Sequence, residues 1–176
     1  MRGYAVFPPF CKEYKLIKEI TKTEIHDSVN VIRKSFQTVA DELGFTSENA
    51  PRFTAFAVTE ERLIYQMENE QRLMYAYYDE SNTMIGYYSL LLQENNECEL
   101  NNLCVLPRHR HKNIGSELLA NAFSKAKQAG CEKINIGIVE ENRVLRKWYE
   151  DKGFIHIKAE KYDFFPFTCG YMEKCL

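Results

Sequence analysis

Between Val105 and Leu119 the chain reads VLPRHRHKNIGSELL, an apolar strand end that runs through a basic, glycine-bearing turn straight into an amphipathic helix. This junction constrains the fold more than any other segment, because such a helix must bury its apolar face against the sheet that the strand belongs to. It also implies a chemistry. The first-turn amides of a helix have no intrahelical acceptors and carry partial positive charge, so an anion set there gains hydrogen bonds and a favourable dipole together. Gly115 lets a diphosphate approach the main chain, and Arg108, Arg110, His111 and Lys112 make the approach electropositive. The same residues equally describe a solvated basic loop ahead of a helix, and physical chemistry alone leaves both readings open.

Periodicity supplies the rest of the architecture. Residues 14–20 alternate and predict a short first strand behind an N-terminal arm, 1–13. From Ile25 through Val29, Ile32, Phe36 and Val39 to Leu43 the apolar spacing is helical, with Thr23 as the expected N-cap and Gly44 as the stop. Thr59 is placed to cap a second helix, whose first turn holds Glu60 and Glu61 and whose apolar face holds Leu63, Ile64 and Met67. The period then falls to two: residues 72–80, 83–93 and 98–107 predict three strands joined by short turns, an antiparallel meander. Residues 114–130 form the best-defined helix, 132–140 a strand, 142–152 a helix closed by Gly153, and 154–163 and 168–175 two final strands. No repeat, linker or low-complexity segment divides this order. The expectation is one α/β domain, residues 14–176, with a largely antiparallel sheet.

Composition narrows the partners. Lys+Arg 23 against Asp+Glu 25 leaves a net charge of −2, too balanced for the basic field that sequence-independent phosphate contacts need, so no nucleic acid is expected. The longest apolar runs, such as residues 84–92, fall far short of the ~20 residues that cross a bilayer, so no membrane partner is expected either. The first residues lack a secretory apolar segment, which predicts a cytoplasmic protein. Cys11, Cys98, Cys104, Cys131, Cys169 and Cys175 follow no disulfide or zinc spacing and are read as reduced thiols, Cys98 and Cys104 as small core residues. His109 and His111 make an HxH pair with no third ligand in sequence reach, so no metal is expected.

The stretch from Val105 to Leu119 resembles the acyl-CoA-binding motif of the GNAT N-acyltransferase superfamily, in which a strand ending in Val-x-Pro leads to Arg/Gln-x-x-Gly-x-Gly/Ala. Val105, Pro107, Arg110 and Gly115 stand at the motif positions, and Asn113 replaces its first glycine. Asparagine is the non-glycine residue that best tolerates left-handed backbone, so the loop can keep its shape. A second stretch, Asn142 to Phe154, is similar to the family's Asn-x-x-(Ala)-x-x-(Phe)-Tyr-x-x-x-Gly-Phe segment, with Leu145 and Trp148 at the bracketed positions.

The resemblance implies a GNAT fold: a central, mostly antiparallel seven-stranded sheet with helices on both faces and a splay between strands 4 and 5. It implies acetyl-CoA as co-substrate and a primary amine of a small molecule or peptide as acceptor, with a homodimer left open. The pantetheine arm would lie along Leu103, Cys104 and Val105. The loop Arg110, His111, Lys112, Asn113, Ile114, Gly115 and Ser116 would receive the diphosphate, mainly through the amides from His111 onward. Asn142 would bond the pantetheine or cap a helix, or do both. Tyr149 would meet the leaving thiolate, a task that suits a phenol of pKa about 10. An amine must lose a proton to attack, and Glu99 is the candidate base, with Glu97 adjacent. Strict alternation would put Glu99, Asn101, Leu103 and Val105 on one side of their strand. Phe36, Phe53, Tyr162, Phe164 and Phe165 would wall the acceptor pocket. The alternative reading is a non-catalytic module that binds or senses acyl-CoA.

Overall fold

The computed structural model describes residues 16–176; the expected N-terminal arm, Cys11 and the start of the first strand lie outside the described residues. Strands β1 (Leu16–Glu19), β2 (Leu73–Tyr78), β3 (Met84–Leu92), β4 (Glu97–Val105), β5 (Lys133–Val139), β6 (Ile155–Lys161) and β7 (Thr168–Cys175) form one sheet in the order β1-β2-β3-β4-β5-β7-β6. Every neighbouring pair is antiparallel except β4 and β5. The helices are α1 (Ile25–Leu43), α2 (Thr54–Ala57), α3 (Glu60–Glu68), α4 (Ile114–Gln128) and α5 (Arg143–Asp151).

Both faces of the sheet are covered, which is why β2 and β3 are buried almost throughout instead of alternating. On one face Leu118, Leu119 and Ala122 of α4 and Tyr149 of α5 pack on Tyr75, Tyr77, Ile85, Tyr88 and Leu90. On the other, Val29 and Ile32 of α1 and Leu63 of α3 pack on Met74, Ala76, Tyr87 and Cys104. A third cluster joins α1 and α2 to the β6–β7 connection through Ala40, Phe45, Phe53 and Phe167. One glycine is demanded by this packing. A Cβ on Gly86 would lie 2.8 Å from Leu118 Cδ1 and 3.1 Å from the Cys104 carbonyl, so its absence is what lets α4 seat on β3.

The local signals mostly act as expected. Thr59 accepts from the Arg62 amide at the start of α3, and Gly44 takes a left-handed conformation at the end of α1. The entry to α1 differs: a 3-10 turn, Lys22–Glu24, precedes it, and Thr21 rather than Thr23 makes the cap, exchanging side-chain bonds with Glu24 in a capping box. The chain starts its helical turn one step earlier because Thr21 and Glu24 stand at the S/T-x-x-E spacing.

Two features shape β4. Its pairing with β5 runs only from Glu97↔Lys133 to Leu100↔Ile136, whereas β5 stays paired with β7 to Val139↔Cys169. Beyond Leu100 the two strands therefore part. Opposite β3, Ser89 faces Asn101 but Tyr87 faces Cys104, so β4 carries an extra residue there, and Asn102 sits at φ 53°. This is a β-bulge. It corrects the strict alternation expected from the sequence: Leu103 and Val105 join the α4-side core with Cys98 and Leu100, while Glu99 and Asn101 belong to the opposite face.

Candidate active site

The splay opens a gap lined by main chain. The Leu106 amide donates to the Ile85 carbonyl on β3, so the main-chain groups of the alternate residues Val105 and Leu103 turn away from β3 and into the gap, where the Val105 carbonyl is taken by Arg110 Nε. An extended ligand could pair with this free edge as a further strand would. Cys104 points the other way, buried under α1, where burial pushes its thiol up to about 12. It stays a neutral core group at neutral pH, not a nucleophile.

The basic loop follows at once. A 3-10 turn, Pro107–His109, is closed by His109 and Arg110 amides donating to Leu106 and Pro107. The chain then coils through left-handed residues on either side of Lys112, with His111 at φ 61° and Asn113 at φ 64°. Asn113 thus adopts the conformation that the replaced glycine would supply, immediately before Ile114 opens α4. Among the described residues, no turn, cap or side-chain bond engages the amides of His111 to Ser116. They are free donors at the positive end of a 15-residue helix. Gly115 adds to the case. A Cβ there would meet only Trp148 Cζ2 at 3.8 Å and Val105 Cγ2 at 4.0 Å, ordinary contacts, so protein packing does not require a glycine.

Arg110 behaves differently from the reading that put its charge on the diphosphate. Its Nε donates to the Val105 carbonyl and its Nη2 to the Ser35 carbonyl on α1. The guanidinium braces the end of β4 against α1 and so holds the loop in place. His109 accepts from Arg108 Nε at 3.1 Å, and burial, followed by the neighbouring Lys112 and Arg108 charges, lowers its pKa. Lys112 is exposed between the two left-handed residues.

Helix α5 brings up the other wall. Asn142 accepts from the Leu145 amide at 3.0 Å through Oδ1, so it is the N-cap of α5 and keeps its Nδ2 donors for other partners. Tyr149 is 6% exposed, set edge-on to Trp148 and Phe154 with ring centroids 4.9 and 5.2 Å away. Burial, with a smaller contribution from Cys104, raises its pKa above the ordinary tyrosine value. The phenol is therefore a proton donor across the whole neutral range.

On the opposite face, Glu99 Oε1 accepts from Asn101 Nδ2 at 2.6 Å, and Gln93 Nε2 stands 3.5 Å from Oε2. Glu97 is engaged elsewhere, by Lys133 at 3.1 Å and Asn135 at 2.9 Å, and these bonds lower its pKa. Of the two carboxylates Glu99 is the nearer to the splay and lacks an ion pair among the described residues. The expected acceptor wall is partly core. Phe53 is buried against Phe36, Phe45 and Phe167, whereas Tyr162 stacks on a half-exposed Phe164 that also carries Arg52 on its face. Sequence reasoning missed Arg72, whose Nη1 donates to Asn101 Oδ1. The Asn-Asn pair in a strand pattern was the available signal for the bulge beside it.

The parting of β4 from β5 and the unengaged amides at the start of α4 are the arrangement that the sequence resemblance implied. The chain belongs to the GNAT family of acetyltransferases, whose family model matches residues 41–154. Members are acyl-CoA-dependent N-acyltransferases, and acetyl-CoA is the co-substrate. No protein of curated function matches the chain in sequence. The PaiA N-acetyltransferase of Thermoplasma acidophilum, solved in complex with coenzyme A, shares the fold at TM-score 0.75 and 23% identity, over 92% of this chain and 99% of its own. The ribosomal-protein-S18-alanine N-acetyltransferase of Escherichia coli does so at TM-score 0.72 and 13% identity, over 92% and 93%. A spermidine N-acetyltransferase SpeG chimera of Vibrio cholerae and hSSAT does so at 0.69 and 14%, over 92% and 95%.

Proposed function

We propose that the protein transfers the acetyl group of acetyl-CoA to a primary amine by direct attack, with the cofactor laid along Leu103 to Val105 and its diphosphate on the amides of His111 to Ser116. The free donors at the start of α4, beside a glycine that packing does not require, carry this reading. Asn142 Nδ2 bonds the pantetheine while Oδ1 caps α5. The amine nitrogen attacks the thioester carbon, and the C–S bond of the tetrahedral intermediate breaks. Tyr149 gives its proton to the departing thiolate and regains one from solvent. Glu99, directly or through water, takes the proton that the amine sheds. The inert Cys104 argues for direct attack over an acyl-enzyme.

The acceptor is a small amine or a peptide N-terminus, compatible with the amines named for the spermidine and ribosomal-protein enzymes that share the fold. This reading includes a cytoplasmic protein without nucleic-acid or membrane partners, acting alone or as a homodimer. The deciding experiment follows thiol release from acetyl-CoA across a panel of primary amines. Release with at least one amine, slowed in Tyr149→Phe while coenzyme A still binds, is the expected result. Coenzyme A binding with no release on any amine would favour the sensing module instead.

A further inference from the structure

We propose that Arg72 and Asn101 are positioning residues that aim the Glu99 carboxylate at the incoming amine; the inference rests on the reading of Glu99 as base. Three side chains from two strands form one directed chain. Arg72, at the edge of β2 and 12% exposed, donates from Nε to Glu70 Oε2 at 2.5 Å and from Nη1 to Asn101 Oδ1. Asn101 then donates from Nδ2 to Glu99 Oε1 at 2.6 Å.

The direction of this chain is set by the arginine. A guanidinium has donors and no acceptor, so the amide oxygen of Asn101 must face it, and the amide nitrogen must face Glu99. Glu70 holds the guanidinium from behind. Remove the arginine and Asn101 Oδ1 loses its donor, so the amide is held only by its bond to Glu99 and the two side chains can move together. With the chain intact, Oε1 is occupied and Oε2, which has only the long Gln93 contact among the described residues, is left to take a proton. The bulge at Asn102 completes the arrangement. It keeps Glu99 and Asn101 on the face opposite to Leu103 and Val105, so the base side and the cofactor side of β4 are separated within five residues.

The test uses Arg72→Met, Asn101→Leu, Arg72→Lys, Glu99→Gln, Glu99→Leu and the Arg72→Met/Glu99→Gln double variant. Thiol release is followed with putrescine, spermidine, tyramine and an alanyl dipeptide as the amines. Arg72→Met and Asn101→Leu are expected to lower kcat about tenfold with KM for acetyl-CoA within about twofold, the signature of a misaimed group rather than a damaged cofactor site. Arg72→Lys should restore part of the loss. The double variant should be no slower than Glu99→Gln alone, since Arg72 acts through Glu99. A second readout needs no substrate. In the native protein the Asn101 side-chain amide NMR resonances should be displaced from free-amide positions by its two bonds, and should move toward them in Arg72→Met and in Glu99→Leu, which leaves no acceptor.

Wild-type kcat in Arg72→Met and Asn101→Leu, or additive losses in the double variant, would overturn the positioning role while leaving Glu99 as base. Glu99→Gln at the wild-type rate would overturn the base and the positioning role together. Should no amine in the panel be acetylated, or Arg72→Met not fold, the Asn101 amide resonances of the wild type, Arg72→Lys and Glu99→Leu decide: an unchanged Asn101 pair in Glu99→Leu overturns the chain of bonds itself.

Discussion

The indole of Trp148 lies against Gly115, so close that a Cβ on the glycine would sit 3.8 Å from Cζ2. The single tryptophan of the chain therefore borders the loop that opens α4, and its fluorescence should report on what occupies that loop. A saturable intensity change on titration with coenzyme A is expected. Gly115→Val should weaken that binding by about tenfold or more, since a branched side chain fills the space a diphosphate would use, at a cost on the scale of a displaced hydrogen-bonded group. Equal affinity for coenzyme A in both proteins by calorimetry would remove the loop from the binding site.

Gly86 makes the opposite case, a glycine required by packing. A methyl group there would press on Leu118 Cδ1 and on the Cys104 carbonyl, and the backbone atom cannot move aside without disturbing the β3–β4 pairing. Gly86→Ala should destabilise the fold by about 1–3 kcal/mol, read as a lower urea midpoint. Coenzyme A affinity of the folded fraction should hold. A midpoint equal to wild type would mean that α4 seats on β3 less tightly than the distances indicate.

Sequence periodicity reaches most of this architecture because each element carries its own local signal. The apolar spacing of α1, the Thr59 cap and the strand that follows residue 72 depend on neighbours a few residues away, and these elements appear where expected. What it could not reach were features set by distant partners. Strict alternation put Leu103 beside Glu99, and the extra residue at Asn102 reverses that, because the bulge is defined only against Tyr87 and Ser89 on β3. Arg110 is read from the motif as part of the cofactor loop; its bonds within the protein, to carbonyls on β4 and on α1, the latter 75 residues away, carry no local signal. Arg72 gave no signal, since its role exists only through Asn101 on a strand two places along the sheet.

Tyr149 should matter to rate and not to cofactor affinity. Its hydroxyl is the only part of the side chain that Tyr149→Phe removes, and the ring keeps its edge-on contacts with Trp148 and Phe154. Loss of a proton donor to the leaving thiolate should slow thiol release by about 100-fold. Because burial raises the phenol pKa, the native enzyme should show no loss of rate from tyrosine ionisation as pH rises to about 10, the ordinary tyrosine value. A fall in rate below that pH that vanishes in Tyr149→Phe would show the phenol ionising earlier than its burial allows.

The entry to α1 predicts how the fold responds to acid. Glu24 is held at about 2, first by the Thr21 hydroxyl at 2.5 Å, with the Thr21 amide, Lys18 and Thr23 adding to it against a desolvation penalty. A carboxylate whose folded pKa is depressed stabilises the native state above its unfolded pKa, and that contribution is lost as pH falls from about 4.5 through about 2. Glu24→Gln should therefore be less stable than wild type at neutral pH, with the gap between the two closing across that window. Thermal melts at pH 7, 4 and 2 would show it. A gap that stays constant over the three would place the effect in the lost capping geometry alone, and not in the charge of Glu24.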